Sequence, residues 1–191
     1  LTSVGDDLTV QSNSNLGALN LGALTTVAGN LEVSGHAALE AIELGVLPAV
    51  GGWFFVDDNA SLTTLNIAQL ATVPQLFQVS NNGALKMFEA PLLATVGDFR
   101  LSENHILRSA LFPSLTDVLS WLDEDGDTVG GDFVVLDCEE LIVFDASKLK
   151  TIAGDLNIVD GNTDLREVAF SALTTVGGTA YLTNWNFTQR P

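Results

Sequence analysis

An apolar residue, two variable residues and a valine or isoleucine recur along the chain at Leu1, Leu24, Leu47, Leu70, Leu93, Leu115, Leu149 and Leu173. The first four intervals are 23 residues each and the next is 22. A unit this short cannot bury an apolar face by itself, so it must stack on copies of itself. The period therefore predicts a solenoid, a single domain over 1–191, with each coil leaning on its neighbours.

After each valine comes a short alternating run: Asp7-Leu8-Thr9-Val10, Asn30-Leu31-Glu32-Val33, Trp53-Phe54-Phe55-Val56, Leu76-Phe77-Gln78-Val79, then Asp98 to Leu101, Asp132 to Val135, Asp155 to Ile158 and Thr179 to Leu182. Alternation is strand periodicity, and it turns the second and fourth residues inward. Gly pairs before the runs, as at Gly51-Gly52, Gly130-Gly131 and Gly177-Gly178, are expected to supply the backbone freedom of a sharp corner. Three residues past the second inward position stands a column of Asn13, His36, Asn59, Asn82, Asn104 and Cys138, followed by Asn162 after one inserted residue and by Trp185. An amide here can donate to and accept from the backbone of adjacent coils. His36 and Cys138 are accordingly read as substitutes in that ladder rather than as metal ligand and nucleophile. A further apolar set spaced L-x-x-L-x-L-x-x-L, for example Leu62, Leu65, Ile67 and Leu70, predicts a second short strand facing the same core.

The string L-x-x-V-G-G-x-L-x-V-x-x-N-x-x-L, nearly complete at Leu47 to Leu62 and Leu149 to Leu165, resembles the leucine-rich-repeat-like receptor L domain. The resemblance spans nearly the whole chain. It implies a right-handed parallel β-solenoid of about eight coils of 22–24 residues, with an 11-residue insertion at 119–129. It also implies partner binding through variable surface residues, without a shared catalytic motif, on a secreted or cell-surface protein. The flanking cysteines of the animal receptors are absent, so growth-factor reception does not carry over.

With 24 acidic against 7 basic residues the formal charge is −17, a field that repels nucleic acid and anionic lipid. No run of 18 apolar residues exists to span a bilayer. Leu1 stands in repeat register, which suggests that a leader or preceding segment was removed, and the terminal coils are expected to be capped by a neighbouring domain or a second copy of the chain. Cys138 is the single cysteine, so no internal disulfide is available.

Four candidate features remain. Alternation turns Trp53 and Phe55 outward on one coil, with Leu76 beside Trp53 and the polar Gln78 and Arg100 further along, a wall suited to a protein or carbohydrate ligand. The residue before each aligned valine forms a threonine-rich row, Thr26, Thr72, Thr95, Thr151 and Thr175, interrupted at Ala49 and Asp117. Such a row raises ice binding as an alternative, beside β-branched residues simply suiting the position and beside a structural spacer of a larger surface protein. In the insertion, Asp123, Asp125 and Asp127 around Gly126 resemble the start of a calcium loop, although Val134 stands at the twelfth position where a glutamate would close it; a solvated acidic loop is the simpler reading. Enzyme signals are poor: His36 and His105 are the two histidines, and Glu139-Glu140 reads as a surface pair. Of the sequons, Asn59-Ala60-Ser61 falls in the ladder and is expected to be buried, while Asn186-Phe187-Thr188 is free of that constraint.

Overall fold

A computed structural model describes residues 1–123 and 125–183 of the 191-residue protein. Every regular element among these residues is a strand, and the strands stack in parallel as a β-solenoid of about eight coils. No helix among them is long and apolar enough to cross a membrane. Trp185 and the Asn186 sequon lie outside the described residues.

Each coil presents three walls where two were expected. The first carries Ser3–Val4, Thr26–Val27, Asp117–Val118, Thr151–Ile152 and Thr175–Val176. The second carries the alternating runs, among them Leu8–Gln11, Leu31–Ser34, Phe54–Asp57, Phe133–Leu136 and Leu156–Ile158. In the middle of the stack the corner between these two walls straightens, and Thr72–Ser80 and Thr95–Ser102 each run through both. The third wall holds the L-x-x-L-x-L segments, such as Ala41–Glu43, Met87–Glu89 and Ser109–Leu111. The valine motif was legible as a repeat, but not as a strand, because two residues are too few for a period to appear.

Register follows the repeat. Leu31 pairs with Phe54, Phe54 with Phe77, Phe77 with Phe99 and Phe99 with Phe133, so one inward column becomes a spine of aromatic rings. Phe54 and Phe77 stack at 5.4 Å between centroids, Phe77 and Phe99 at 5.6 Å, and Phe99 and Phe133 at 4.5 Å. From the third wall, Phe112 and Phe144 meet this spine edge-on. Their neighbours compensate in volume: Phe88 is followed by Ala90, Ala110 by Phe112, and Phe144 by Ala146, all buried. In these three coils one large and one small residue fill the space that two mid-sized residues, such as Ile42 and Leu44, fill in an earlier coil.

The polar column forms a ladder of hydrogen bonds within this interior. Asn82 N–H donates to Asn104 Oδ1 at 3.0 Å, and the amide nitrogens of Asn59, Asn82 and Asn104 donate to the carbonyls of Val33, Val56 and Val79. Asn59 itself is fully buried. Just before the ladder, Ser12, Asp58, Asn81, Glu103 and Asp137 each adopt a left-handed backbone, φ 47–55°, with Gly35 at the equivalent place in the second coil. In the seventh coil Asp160 and Gly161 are both left-handed, and this absorbs the inserted residue ahead of Asn162.

The backbone freedom expected of the glycine pairs is used at Gly130-Gly131, whereas Gly51-Gly52 and Gly177-Gly178 have a different cause. Gly51, Gly52, Gly177 and Gly178 are absent from the positive-φ residues, whereas Gly130 and Gly131 have φ of 76° and 91°. What excludes a side chain is the coil beneath: a Cβ on Gly51 would lie 1.8 Å from the Ala28 carbonyl oxygen, and one on Gly177 2.1 Å from that of Ala153. Gly5, at the open end of the stack, has nothing within 4 Å of the same point.

Two stability outcomes follow. Gly51→Ala should lower stability by about 1–3 kcal/mol or more in denaturant melts, because backbone must shift, while Gly5→Ala should be neutral or slightly stabilising. Asn82→Ala should cost about 1–3 kcal/mol through unpaired backbone groups, against a few tenths for an exposed residue such as Thr63→Ala.

Candidate functional site

A second hydrogen-bonded column runs along the corner that opens the second wall. Asp7 Oδ1 accepts the backbone N–H of Asn30 at 2.7 Å, and Asn30 Oδ1 accepts that of Trp53 at 2.9 Å. Further along, Asp98 accepts from Asp132, Asp132 from Asp155, and Asp155 from Thr179. Each acceptor needs bare backbone beside it: a Cβ on Gly29 would sit 2.2 Å from Asp7 Oδ1, on Gly52 1.9 Å from Asn30 Oδ1, and on Gly154 2.2 Å from Asp132 Oδ1. These glycines, and likewise Gly178 with its Cβ position 2.1 Å from Asp155 Oδ1, make room for the carboxylate or amide of the preceding coil.

Trp53 and Leu76 occupy this column and carry no acceptor. Where Trp53 offers none, the next coil has Gln75 in the place of the second glycine. The pairing of an Asp or Asn with a Gly 22 residues later (Asp7 with Gly29, Asn30 with Gly52, Asp132 with Gly154) is visible in the sequence. It gains meaning only once the two positions are known to touch.

At the interruption the wall turns aromatic. Trp53 is 38% exposed and meets the half-buried Phe55 edge-on, with centroids 5.8 Å apart. Leu76, half-buried, lies one coil away, since Phe77 pairs with Phe54. The outward column reads Glu32, Phe55, Gln78 and Arg100 in unbroken register. The five residues anticipated for this surface are therefore brought together, with Arg100 exposed at one end.

Side-chain hydrogen bonds frame the aromatic pair on both sides. Glu32 Oε1 accepts from Gln11 Nε2 and from Ser34 Oγ. On the next coils Gln78 Nε2 donates to Ser80 Oγ, which donates to Asp57 Oδ1. These contacts restrain Glu32, Asp57 and Gln78, which are half-buried and keep further hydrogen-bonding capacity.

The threonine row lies on the first wall in register: Ser3 with Thr26, Thr72 with Thr95, Thr95 with Asp117, Asp117 with Thr151, and Thr151 with Thr175. Thr26, Thr72 and Thr175 are exposed, whereas Thr95 and Thr151 are half-buried, so the row is neither continuous nor evenly uncovered. The adjacent column turns inward on the backbone, with Thr25, Thr116 and Thr174 hydroxyls donating to carbonyls of the preceding coil.

The insertion is a β-hairpin whose tip, with Asp125 and Asp127, is exposed and acidic. Ser120–Leu122 pairs antiparallel with Thr128–Gly130, and Trp121 packs where a side chain on Gly97 or Gly130 would otherwise stand. Asp123 Oδ1 accepts the backbone N–H groups of both Asp125 and Asp127, at 3.0 and 2.9 Å, so it closes its own turn. Among the described residues no three His, Cys, Asp or Glu side chains converge as metal ligands.

His36 and Cys138 sit fully buried in the ladder. His36 Nδ1 accepts the Asn13 N–H at 3.0 Å while Nε2 lies 3.1 Å from the Val10 carbonyl, which fixes the neutral tautomer with its proton on Nε2. The Cys138 thiol meets the Asn104 backbone amide and the Leu136 carbonyl, and burial pushes its pKa up to about 12. A thiolate is the reactive form, so this cysteine is inert as a nucleophile. His105 instead reaches across to Glu139 at 2.6 Å on the exposed turn, beside the Arg108–Glu140 pair.

Native protein at pH 8 should show no reaction of Cys138 with a thiol reagent until denaturant is added. Because the raised pKa keeps the proton on the folded form, the contribution of Cys138 to stability should be intact below the unfolded thiol pKa and fall as pH rises from there toward about 12. Cys138→Ser should weaken that alkaline loss in pH-dependent melts.

A scan against protein-family models, a search of curated proteins and a search of solved structures each found no match, so the geometry of the wall itself carries the functional reading.

Proposed function

We propose that this protein is a non-enzymatic recognition or adhesion module that works outside the cell and binds carbohydrate on the second wall around Trp53. The observation that carries the proposal is the interruption of the corner ladder. Elsewhere that position holds Asp, Asn or a terminal Thr, and at two successive coils it holds Trp53 and Leu76 instead. A departure from an otherwise consistent structural rule marks a place where function outweighs stability.

Carbohydrate fits this wall better than a protein partner does. A pyranose has an apolar C–H face and a rim of hydroxyls, and it is matched by an aromatic face flanked by oriented carboxylates and amides. The aromatic patch comprises Trp53, Phe55 and Leu76, two of them half-buried, which is a small anchor for an interface of roughly 800 Å² per partner. The resemblance to receptor L domains supports a surface-exposed binding role, and the −17 charge supports solubility in that setting. The broken and partly covered threonine row gives ice binding no comparable support.

Trp53→Asn is the informative variant, because it removes the aromatic face and leaves a small polar group in solvent, Gln75 filling the space that a corner acceptor would need. On a glycan array the parent should bind a defined subset of saccharides, and Trp53→Asn should lose that binding at least tenfold while its melting temperature stays within about 4 °C. Parent-like glycan binding by the folded variant, or binding of the parent to proteins alone, would sink the reading.

A further inference from the structure

We infer that the saccharide bound at Trp53 carries a carboxylate, and that Arg100 is the residue that recognises it. The inference rests on the carbohydrate reading above and adds the chemical class of the ligand.

Arg100 stands in the same outward column as Phe55, two coils away through Gln78. At a strand spacing of ~4.8 Å this puts its backbone ~10 Å from that of Phe55, a distance a short oligosaccharide lying along the stack can span. Among the described outward residues of this column, Thr9, Glu32, Phe55, Gln78, Val134, Asn157 and Tyr181 carry no positive charge, so Arg100 is the cation of the wall.

Its isolation is informative because acceptors are abundant. The chain has 24 acidic residues, yet the ion pairs among the described residues are His105–Glu139 and Arg108–Glu140, and the Arg100 side chain has no hydrogen-bond partner among them. The nearby carboxylates are committed elsewhere: Glu32 to Gln11 and Ser34, Asp57 to Ser80, and Asp98 to the Asp132 amide. An exposed guanidinium in register with an aromatic platform therefore offers a planar two-point donor that no described side chain engages. A carboxylate matches that fork in shape and charge, which an isolated hydroxyl does not.

The overall field opposes any anion, so the local contacts have to do the selecting. A free carboxylate is repelled by the −17 charge, so Arg100 alone holds a small anion poorly. Tethered to a sugar ring seated on Trp53 and Phe55, the same group reaches Arg100 at high effective concentration. The pair of features selects an acidic saccharide over both its neutral counterpart and a free anion.

The test uses oligogalacturonate, alginate oligomers and hyaluronan oligosaccharides, each beside its carboxyl-reduced form, titrated into the parent, Arg100→Gln and Trp53→Asn proteins. The parent should bind at least one acidic oligomer about tenfold or more tightly than its reduced form. Arg100→Gln should abolish the preference and keep the affinity for the reduced form within about twofold, while Trp53→Asn loses both. Equal binding of acidic and reduced forms by the parent, or a preference that survives in Arg100→Gln, overturns the role of Arg100 and leaves the aromatic platform standing. Equal loss of both forms in Arg100→Gln assigns it a structural part and also overturns the inference. Absence of binding to any saccharide overturns the platform and this inference together.

Discussion

The stack depends on hydrogen bonds between equivalent residues of successive coils at the places where the chain turns. Strand pairing satisfies the backbone within each wall, but a coil must bend between walls, and there its amides would be buried without partners. Two side-chain columns serve those corners. The inner one, buried from His36 to Asn162, joins coil to coil through the side-chain amides of Asn59, Asn82, Asn104 and Asn162, which donate and accept at once, with His36 and Cys138 as substitutes. The outer one does the same with Asp7, Asn30, Asp98, Asp132 and Asp155. Since each bond needs the neighbouring coil in place, the coils stabilise one another and none is expected to hold its shape alone.

Glycine placement and core packing follow from that closeness. Coils joined at hydrogen-bond distance leave no volume between Gly51 and the Ala28 carbonyl, or between Gly52 and the Asn30 amide, and a methyl group cannot enter. The interior answers the same spacing with flat rings: Phe54, Phe77, Phe99 and Phe133 lie nearly parallel along one column, and the edges of Phe112 and Phe144 close the gap from the opposite wall. The exchange of Phe and Ala between adjacent positions of the third wall keeps the cross-section constant from coil to coil. A strictly repeated motif with Phe at both positions would overfill it.

A regular scaffold makes its irregularities readable. The corner column loses its acceptors at Trp53 and Leu76, and the wall beside them holds hydrogen-bonded Glu32, Asp57 and Gln78 and, without a side-chain partner among the described residues, Arg100. Carboxylates tied to serines and amides on one side, and an exposed guanidinium on the other, give this stretch of an acidic surface a local character unlike the rest. The hairpin at Ser120–Leu122 and Thr128–Gly130 breaks the repeat differently: it is held at its tip by Asp123 and at its base by Trp121 against Gly97.

The sequence by itself determined the coil, its period, the inward columns and the asparagine ladder, because a contact that recurs every 22–24 residues leaves the same residue type at the same interval. It also determined that Trp53 and Phe55 face outward, since alternation along a strand is local. Only the tertiary structure decided the third wall, the hairpin in 119–129 and the true reason for the glycine pairs. A two-residue strand is recognised by its partner and not by any pattern of its own, and the bare backbone of Gly52 is explained by Asn30, 22 residues away in the chain and in contact in space. Which outward residues stay open was likewise a tertiary matter: Thr95 and Thr26 hold the same place in the repeat, yet one is half-covered and the other exposed, because burial is set by what the neighbouring coils and their insertions lay over each position.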